Sequence, residues 1–198
     1  MIRRYRDLAF IVVASPLLLP ILGIAILFVF FGIGRPVFYR QMRGGLNCST
    51  FEVIKLRSMT NARDVDGKLL PDAKRLTKLG KFLRSSSIDE LPCLWNVIRG
   101  EMSLVGPRPF IASYLPLYSD EQLRRHNVLP GITGWAQVNG RNAISWEEKF
   151  SLDIWYVDNC SHWLDIKILV MTIQKVISRE GVRGDNGVTM SEFTGTPS

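Results

Sequence analysis

Cysteine and histidine are scarce in this chain of 198 residues. Its three cysteines, Cys48, Cys93 and Cys160, are an odd number with no close spacing. That excludes a disulfide framework and a CxxC zinc or redox site, and it fits a reducing compartment. The only histidines, His126 and His162, are too far apart for an HExxH protease or a His-rich metal site. With 16 Gly and 10 Pro, the chain is neither collagen-like nor of low complexity. No Walker loop, no GxGxxG and no internal repeat is present. Apolar residues make up 46%, too many for global disorder. The length suits one domain, or one domain with an appendage, and suffices for a core without staples.

Acidic residues are scarce in the first half. Residues 1–86 hold fifteen Lys/Arg against five Asp/Glu, a net of +10; residues 87–198 hold ten against thirteen, a net of −3. The positive half also holds the most apolar segment, Leu8 to Ile33, which is 26 residues without a charge. A bilayer span needs about 20. The run is too long for a cleaved signal peptide, and no A-x-A site follows it. Ser15-Pro16 and Pro20 lie inside it, and each proline removes an amide donor, so the helix is expected to bend or break there. Ser15 has a hydroxyl to offer a freed carbonyl. Arg3, Arg4 and Arg6 precede the run, and Arg35, Arg40 and Arg43 follow it. Basic residues mark the cytoplasmic side, so basic flanks at both ends suit a hairpin that enters and leaves by one face. The alternative is a kinked single span.

Beyond the run, Val37 to Tyr39 and Phe51 to Leu56 read as short strands. Residues 61–72 are polar, with a turn at Asp66-Gly67. Leu76, Leu79 and Leu83 recur at helical spacing among Lys74, Arg75, Lys78, Lys81 and Arg84, a pattern suited to an anionic membrane surface. Helices are expected over Ile88–Ile98, Ser119–Val128 and Trp146–Val157. A last helix carries the stripe Ile166, Leu169, Val170, Ile173, Val176 and Ile177 and stops at Gly181. Helical runs outnumber strand-like ones, so the fold class is α+β, mostly helical. The expected divisions are 1–36 as a membrane hairpin, 37–181 as a catalytic domain with membrane-surface amphipathic helices, and 182–198 as a polar tail.

Three places are candidates for chemistry. Ser87-Ile88-Asp89-Glu90 has the form of a capping box, and one reading is that its acids only cap a helix. Asp89 and Glu90 are also a carboxylate pair suited to Mg²⁺, which takes most of its ligands from water and phosphate. A carboxylate is, besides, a possible nucleophile. In Val105-Gly106-Pro107-Arg108-Pro109, prolines fix the backbone around Arg108, whose guanidinium matches phosphate oxygens. The alternative there is a rigid connector with a surface Arg. In Pro130 to Asn142, glycines permit close backbone approach, and Arg141 beside an Asn-Gly turn is within reach of a phosphate, unless the turn is purely structural.

Taken in order, these segments resemble one family. They are the basic N-terminus, Ser15-Pro16, Lys55-Leu56-Arg57-Ser58-Met59, Gly80-Lys81-Phe82-Leu83-Arg84, Ser87 to Pro92, Trp95-Asn96-Val97, Gly100 to Ser103, Val105 to Pro109 and Pro130 to Gly134. The chain resembles the small monotopic phosphoglycosyl transferases, bacterial sugar transferases of glycoconjugate biosynthesis, from about residue 2 to 180. Gly134 to Trp146 and Val188 to Phe193 are most similar to members that transfer phospho-N,N′-diacetylbacillosamine in protein N-glycosylation.

The resemblance implies a monotopic protein with a re-entrant helix-break-helix at Ser15-Pro16. Its catalytic domain would sit on the cytoplasmic face of the bacterial inner membrane. It implies transfer of a phosphosugar from a UDP-sugar, here a diacetamido sugar, to polyprenyl (undecaprenyl) phosphate by a ping-pong route with release of UMP. Asp89 would be the nucleophile, Glu90 its partner, and Mg²⁺ would lie beside them. Arg108 would hold a phosphate, with Arg84 and Lys55 as lesser phosphate or nucleotide contacts. Ser58 stands where many relatives have Thr, and Cys93 where Gln or Leu is commoner; neither change removes a proposed role. The reading from another class is an anchored, non-catalytic scaffold. Nucleic-acid binding is not expected, because the charge clusters around the apolar run and no nucleic-acid motif occurs.

Overall fold

The computed structural model describes residues 2–140, 144–178 and 192–195. Among them, twelve elements follow in the order α1 (Ile2–Gly32), β1 (Phe38–Gly44), β2 (Thr50–Leu56), α2 (Asp72–Arg75), α3 (Lys78–Ser85), α4 (Cys93–Arg99), β3 (Ser103–Val105), α5 (Asp120–Leu123), β4 (Gly131–Thr133), α6 (Trp135–Asn139), α7 (Trp146–Asn159) and α8 (His162–Ser178). The fold is mostly helical with two small sheets.

Helix α1 is one element with Pro16 and Pro20 inside it, rather than two helices parted by a non-helical break. The reason is local. Pro16 lacks the amide that would bond the Val12 carbonyl, and the Ser15 hydroxyl donates to that carbonyl instead, at 2.8 Å. The two ends of α1 pack on the rest of the protein and its centre does not. Asp7 and Ile11 are buried near one end and Ala25 and Val29 near the other, while no residue from 12 to 24 is buried.

Asp7 anchors the first end. Its carboxylate accepts bonds from the Ser103 hydroxyl and the Leu104 amide. Arg6 bridges Asp7 to Asp165 on α8, and the Tyr156 hydroxyl donates to Asp165 at 2.6 Å. A buried carboxylate is stable only when it is paired and hydrogen-bonded in this way.

Strands β1 and β2 form an antiparallel hairpin in register from Phe38 opposite Leu56 to Gly44 opposite Thr50. The expected alternation is realised at Phe51 and Val53, which face one core cluster, but Leu56 lies on the opposite face of the strand and packs in a second cluster with Ala25, Val29 and Leu83. β1 runs five residues further than Val37–Tyr39 suggested, to Gly44. A parallel pair, β3 with β4, was not legible in the sequence. Its backbones meet so closely that a Cβ on Gly131 would lie 2.1 Å from the Gly106 nitrogen, so only glycine fits.

The helix expected over Ile88–Ile98 is two pieces, a 3₁₀ turn at Ile88–Glu90 and then α4, because Pro92 sits between them as the N-cap of α4. Similarly, Ser119–Val128 is the short α5, opened by a Ser119–Gln122 capping box, followed by a 3₁₀ turn at Arg124–Asn127. Ser145 and Glu148 form the capping box of α7. The apolar stripe expected on α8 mostly faces outward: Leu169 packs against the core, but Ile166, Val170 and Ile173 are exposed, and the residue buried in the core is Ile168, which lies off the stripe. The stop expected at Gly181 lies outside the described residues. Within the expected polar tail, Phe193 is buried in a cluster with Tyr118 and Phe150.

Candidate active site

The Ser87–Glu90 segment does not form a capping box. Ser87 is left-handed (φ 57) and its side chain caps nothing. The two acids therefore stand on a tight 3₁₀ turn packed against β2 and α3, and their carboxylates are available for something else.

They meet different surroundings. Glu90 Oε1 accepts from Lys55 Nζ at 2.6 Å and from Arg108 Nη2 at 2.7 Å. Asp89 is only 9% exposed, and its carboxylate has no hydrogen-bond or ion-pair partner among the described residues. Burial opposes ionisation of Glu90, but Arg108 and then Lys55 override it and hold that carboxyl well below the usual range. Asp89 goes the other way. Burial, then the neighbouring Glu90 charge, push it up to about 6, against weaker pulls from Lys55, Arg108 and Arg84. The pair thus contains one committed, fully ionised acid and one unpartnered acid that is ionised at neutral pH and poorly solvated. Such a carboxylate is a better nucleophile than a solvated one. Cys93 does not compete: burial pushes its thiol up to about 12, and it donates to the Ile54 carbonyl at 3.3 Å.

Arg108 is held by its backbone. The four consecutive carbonyls from Pro107 to Phe110 each accept a hydrogen bond. Their donors are the Gly131 amide (3.0 Å), Arg125 Nη2 (2.6 Å), Arg43 Nη1 (3.2 Å) and the Gly44 amide (3.0 Å). Arg125 is itself fully buried and paired with Asp153 at 2.7 Å. Its other bond, to the Arg108 carbonyl, couples that pair to the loop. A loop with every carbonyl occupied presents its guanidinium with little conformational freedom left to lose.

The structure thus brings Asp89, Glu90, Lys55 and Arg108 together. Arg84 stands beside them, its Nε donating to Ser58 Oγ at 2.9 Å. The Ser for Thr change at position 58 keeps the hydroxyl this bond needs. Ser15 and Pro16 lie in the middle of α1, and Arg141 lies outside the described residues. Sequence reading missed Arg43, Arg125 and Asp153. Arg43 and Arg125 act on backbone far away in the chain, Asp153 acts through Arg125, and no local motif marks them.

The chain matches the bacterial sugar transferase family over residues 1–179. It belongs to that family. A sugar transferase of Bacillus subtilis (strain 168), the uncharacterized EpsL, is 59% identical over 164 residues, 83% of this chain and 81% of that protein. The UDP-glucose:undecaprenyl-phosphate glucose-1-phosphate transferase of Xanthomonas campestris pv. campestris is 42% identical over 157 residues, 73% of this chain and 32% of that protein. The undecaprenyl-phosphate galactose phosphotransferase of Salmonella typhimurium (strain LT2) is 35% identical over 198 residues, 90% of this chain and 42% of that protein. The sugar transferase described here spans less than half the length of these last two relatives.

Proposed function

We propose that this sugar transferase moves a sugar 1-phosphate from a UDP-sugar to undecaprenyl phosphate through a covalent intermediate on Asp89. The observation that carries the reading is the split pair: Glu90 is tied to two cations, and Asp89 beside it is unpartnered. An Asp89 oxygen attacks the β-phosphorus of the UDP-sugar. The bond from that phosphorus to the oxygen bridging to the α-phosphate breaks, and UMP leaves with the electron pair. The lipid phosphate then attacks the same phosphorus, the acyl-phosphate bond breaks, and Asp89 returns as a carboxylate.

Both partners of the reaction are anions, so charge neutralisation is the main demand on the protein. Arg108 and Lys55 supply part of it, fixed in place by Glu90. The donor set also suits Mg²⁺. No three His, Cys, Asp or Glu side chains converge among the described residues. Asp89 and the free oxygen of Glu90 offer the few ligands that this ion takes when phosphate supplies others. Bound there, Mg²⁺ would neutralise diphosphate charge.

The test is UMP release by detergent-solubilised protein with undecaprenyl phosphate and a panel of UDP-sugars. A UDP-diacetamido sugar leads the panel, with UDP-glucose and UDP-galactose beside it because the relatives' names carry those sugars. Release that chelation abolishes and Mg²⁺ restores is expected. A folded protein that releases no UMP from any donor returns the chain to the scaffold reading.

The same proposal places α1 in the inner membrane as a re-entrant helix, with the catalytic domain on the cytoplasmic face. Two observations support it: α1 is docked at both ends with an exposed apolar centre, and both its flanks are basic. Tags at residue 1 and residue 198 are expected to be accessible only from the cytoplasm. A periplasmic N-terminus contradicts this topology.

A further inference from the structure

Phe193 lies beyond the residues matched by the family, yet it is only 4% exposed. Its ring meets those of Tyr114, Tyr118, Trp146 and Phe150 at centroid distances between 5.2 and 5.7 Å. Its amide donates to the Tyr114 hydroxyl at 3.1 Å. Rings at these spacings attract through their edges and faces as well as by burial. Phe193 therefore completes an aromatic box whose other walls come from 110–118 and α7.

The box borders the Arg108 loop. Phe110, two residues after Arg108, packs on Trp146 at 4.9 Å and on Phe150 at 6.2 Å. The Arg125 guanidinium lies over Phe110 at 4.3 Å, over Phe150 at 5.8 Å and over Tyr118 at 5.9 Å. Through that guanidinium the box reaches the Arg108 carbonyl. Removing the Phe193 ring would open a void among the rings that wedge Phe110 and Arg125, the two groups that set the direction of Arg108.

We propose that Phe193 is a positioning residue for the phosphoryl-transfer step, holding the Arg108 loop in register through Phe110 and Arg125. This rests on the reading that Arg108 contacts the transferred phosphate. It assigns a working role to a C-terminal residue outside the family-matched region.

The test uses the full chain with Phe193→Ala, Phe193→Leu, Arg108→Ala and the double variant Phe193→Ala/Arg108→Ala. Hydrogen exchange in the peptide covering 105–113 should speed up in Phe193→Ala. The kcat for UMP release should fall on the order of ten- to a hundredfold, the scale of a small misplacement of a catalytic group, with KM for the UDP-sugar little changed. Phe193→Leu, which keeps most of the volume, should recover part of both. In the Arg108→Ala background, Phe193→Ala should add little, because the two act through one group. Unchanged exchange at 105–113, or losses that simply multiply in the double variant, overturns the proposal. If Phe193→Ala does not fold, Phe193→Leu carries the same comparison. A wild type that releases no UMP, with exchange still faster in the variant, overturns the functional reading and leaves the positioning of the loop intact.

Discussion

Replacing Asp89 with asparagine is expected to abolish UMP release and, at neutral pH, to make the protein more stable. The amide keeps the shape of the side chain and loses the nucleophile, so turnover should fall on the order of 10⁴-fold or more. The stability gain follows from burial. Asp89 titrates at about 6 in the folded protein, whereas an unfolded Asp titrates near 4. The folded state thus binds the proton more tightly. Above pH 6 both states are ionised and the full penalty of a poorly solvated charge is present. It shrinks as the pH falls toward 4 and vanishes below that.

The neutral asparagine avoids this penalty. At pH 7.5 it should be more stable than the wild type by on the order of 1–3 kcal/mol, seen as a higher melting temperature. The excess should shrink at pH 4.5. In the wild type, UMP release should fall as the pH drops below about 6 and Asp89 protonates. Glu90, held low by Arg108 and Lys55, stays ionised throughout that range. Thermal melts of both proteins at the two pH values, with a pH profile of the initial rate, check all three expectations. Wild-type rates with Asp89→Asn would remove this residue from the chemistry.

Arg108→Ala is expected to slow turnover by about 2–4 kcal/mol in barrier height, the effect of losing one preorganised charge-stabilising donor. The structure adds a second consequence. Glu90 Oε1 would keep only Lys55 as a partner, so its carboxyl should titrate nearer the usual range. Arg108→Lys should recover only part of the loss, since an ammonium on a flexible stem does not present the planar fork. The fold should be retained, because the loop is held by its carbonyls and not by the Arg108 side chain. Single-turnover kinetics of the three proteins check this, and unaltered rates in Arg108→Ala would place the guanidinium outside the site.

What the sequence revealed and what it hid have different physical origins. Asp89, Glu90 and Arg108 were legible because each stands in a short motif whose chemistry is local: adjacent acids, and an arginine between prolines. Their convergence with Lys55 followed from no spacing. The Ser15 hydroxyl was legible because a proline inside a helix frees one carbonyl nearby, and Val12 is that carbonyl. The capping-box form of Ser87–Glu90 misled because the motif does not encode the left-handed backbone of Ser87.

The β3–β4 pair escaped because each strand is three residues long, too short for any alternation to register. Asp7 and Asp165 stand in no motif, and only the fold shows them buried with Arg6, Ser103 and Tyr156 as partners. Phe193 was hidden for the same reason. It is one aromatic residue in a polar segment, and its partners are spread from Tyr114 to Phe150.

In the proposed reaction the phosphosugar passes through a covalent bond to Asp89. This step is tested most directly by incubating the solubilised transferase with Mg²⁺ and its UDP-sugar donor, without any lipid acceptor, and measuring the mass of the protein and of its peptides. A shift equal to one sugar phosphate is expected, located on the peptide containing Asp89 and discharged when undecaprenyl phosphate is added. An unmodified protein that nonetheless turns over when both substrates are present would contradict it, and would point to direct attack of the lipid phosphate on the donor.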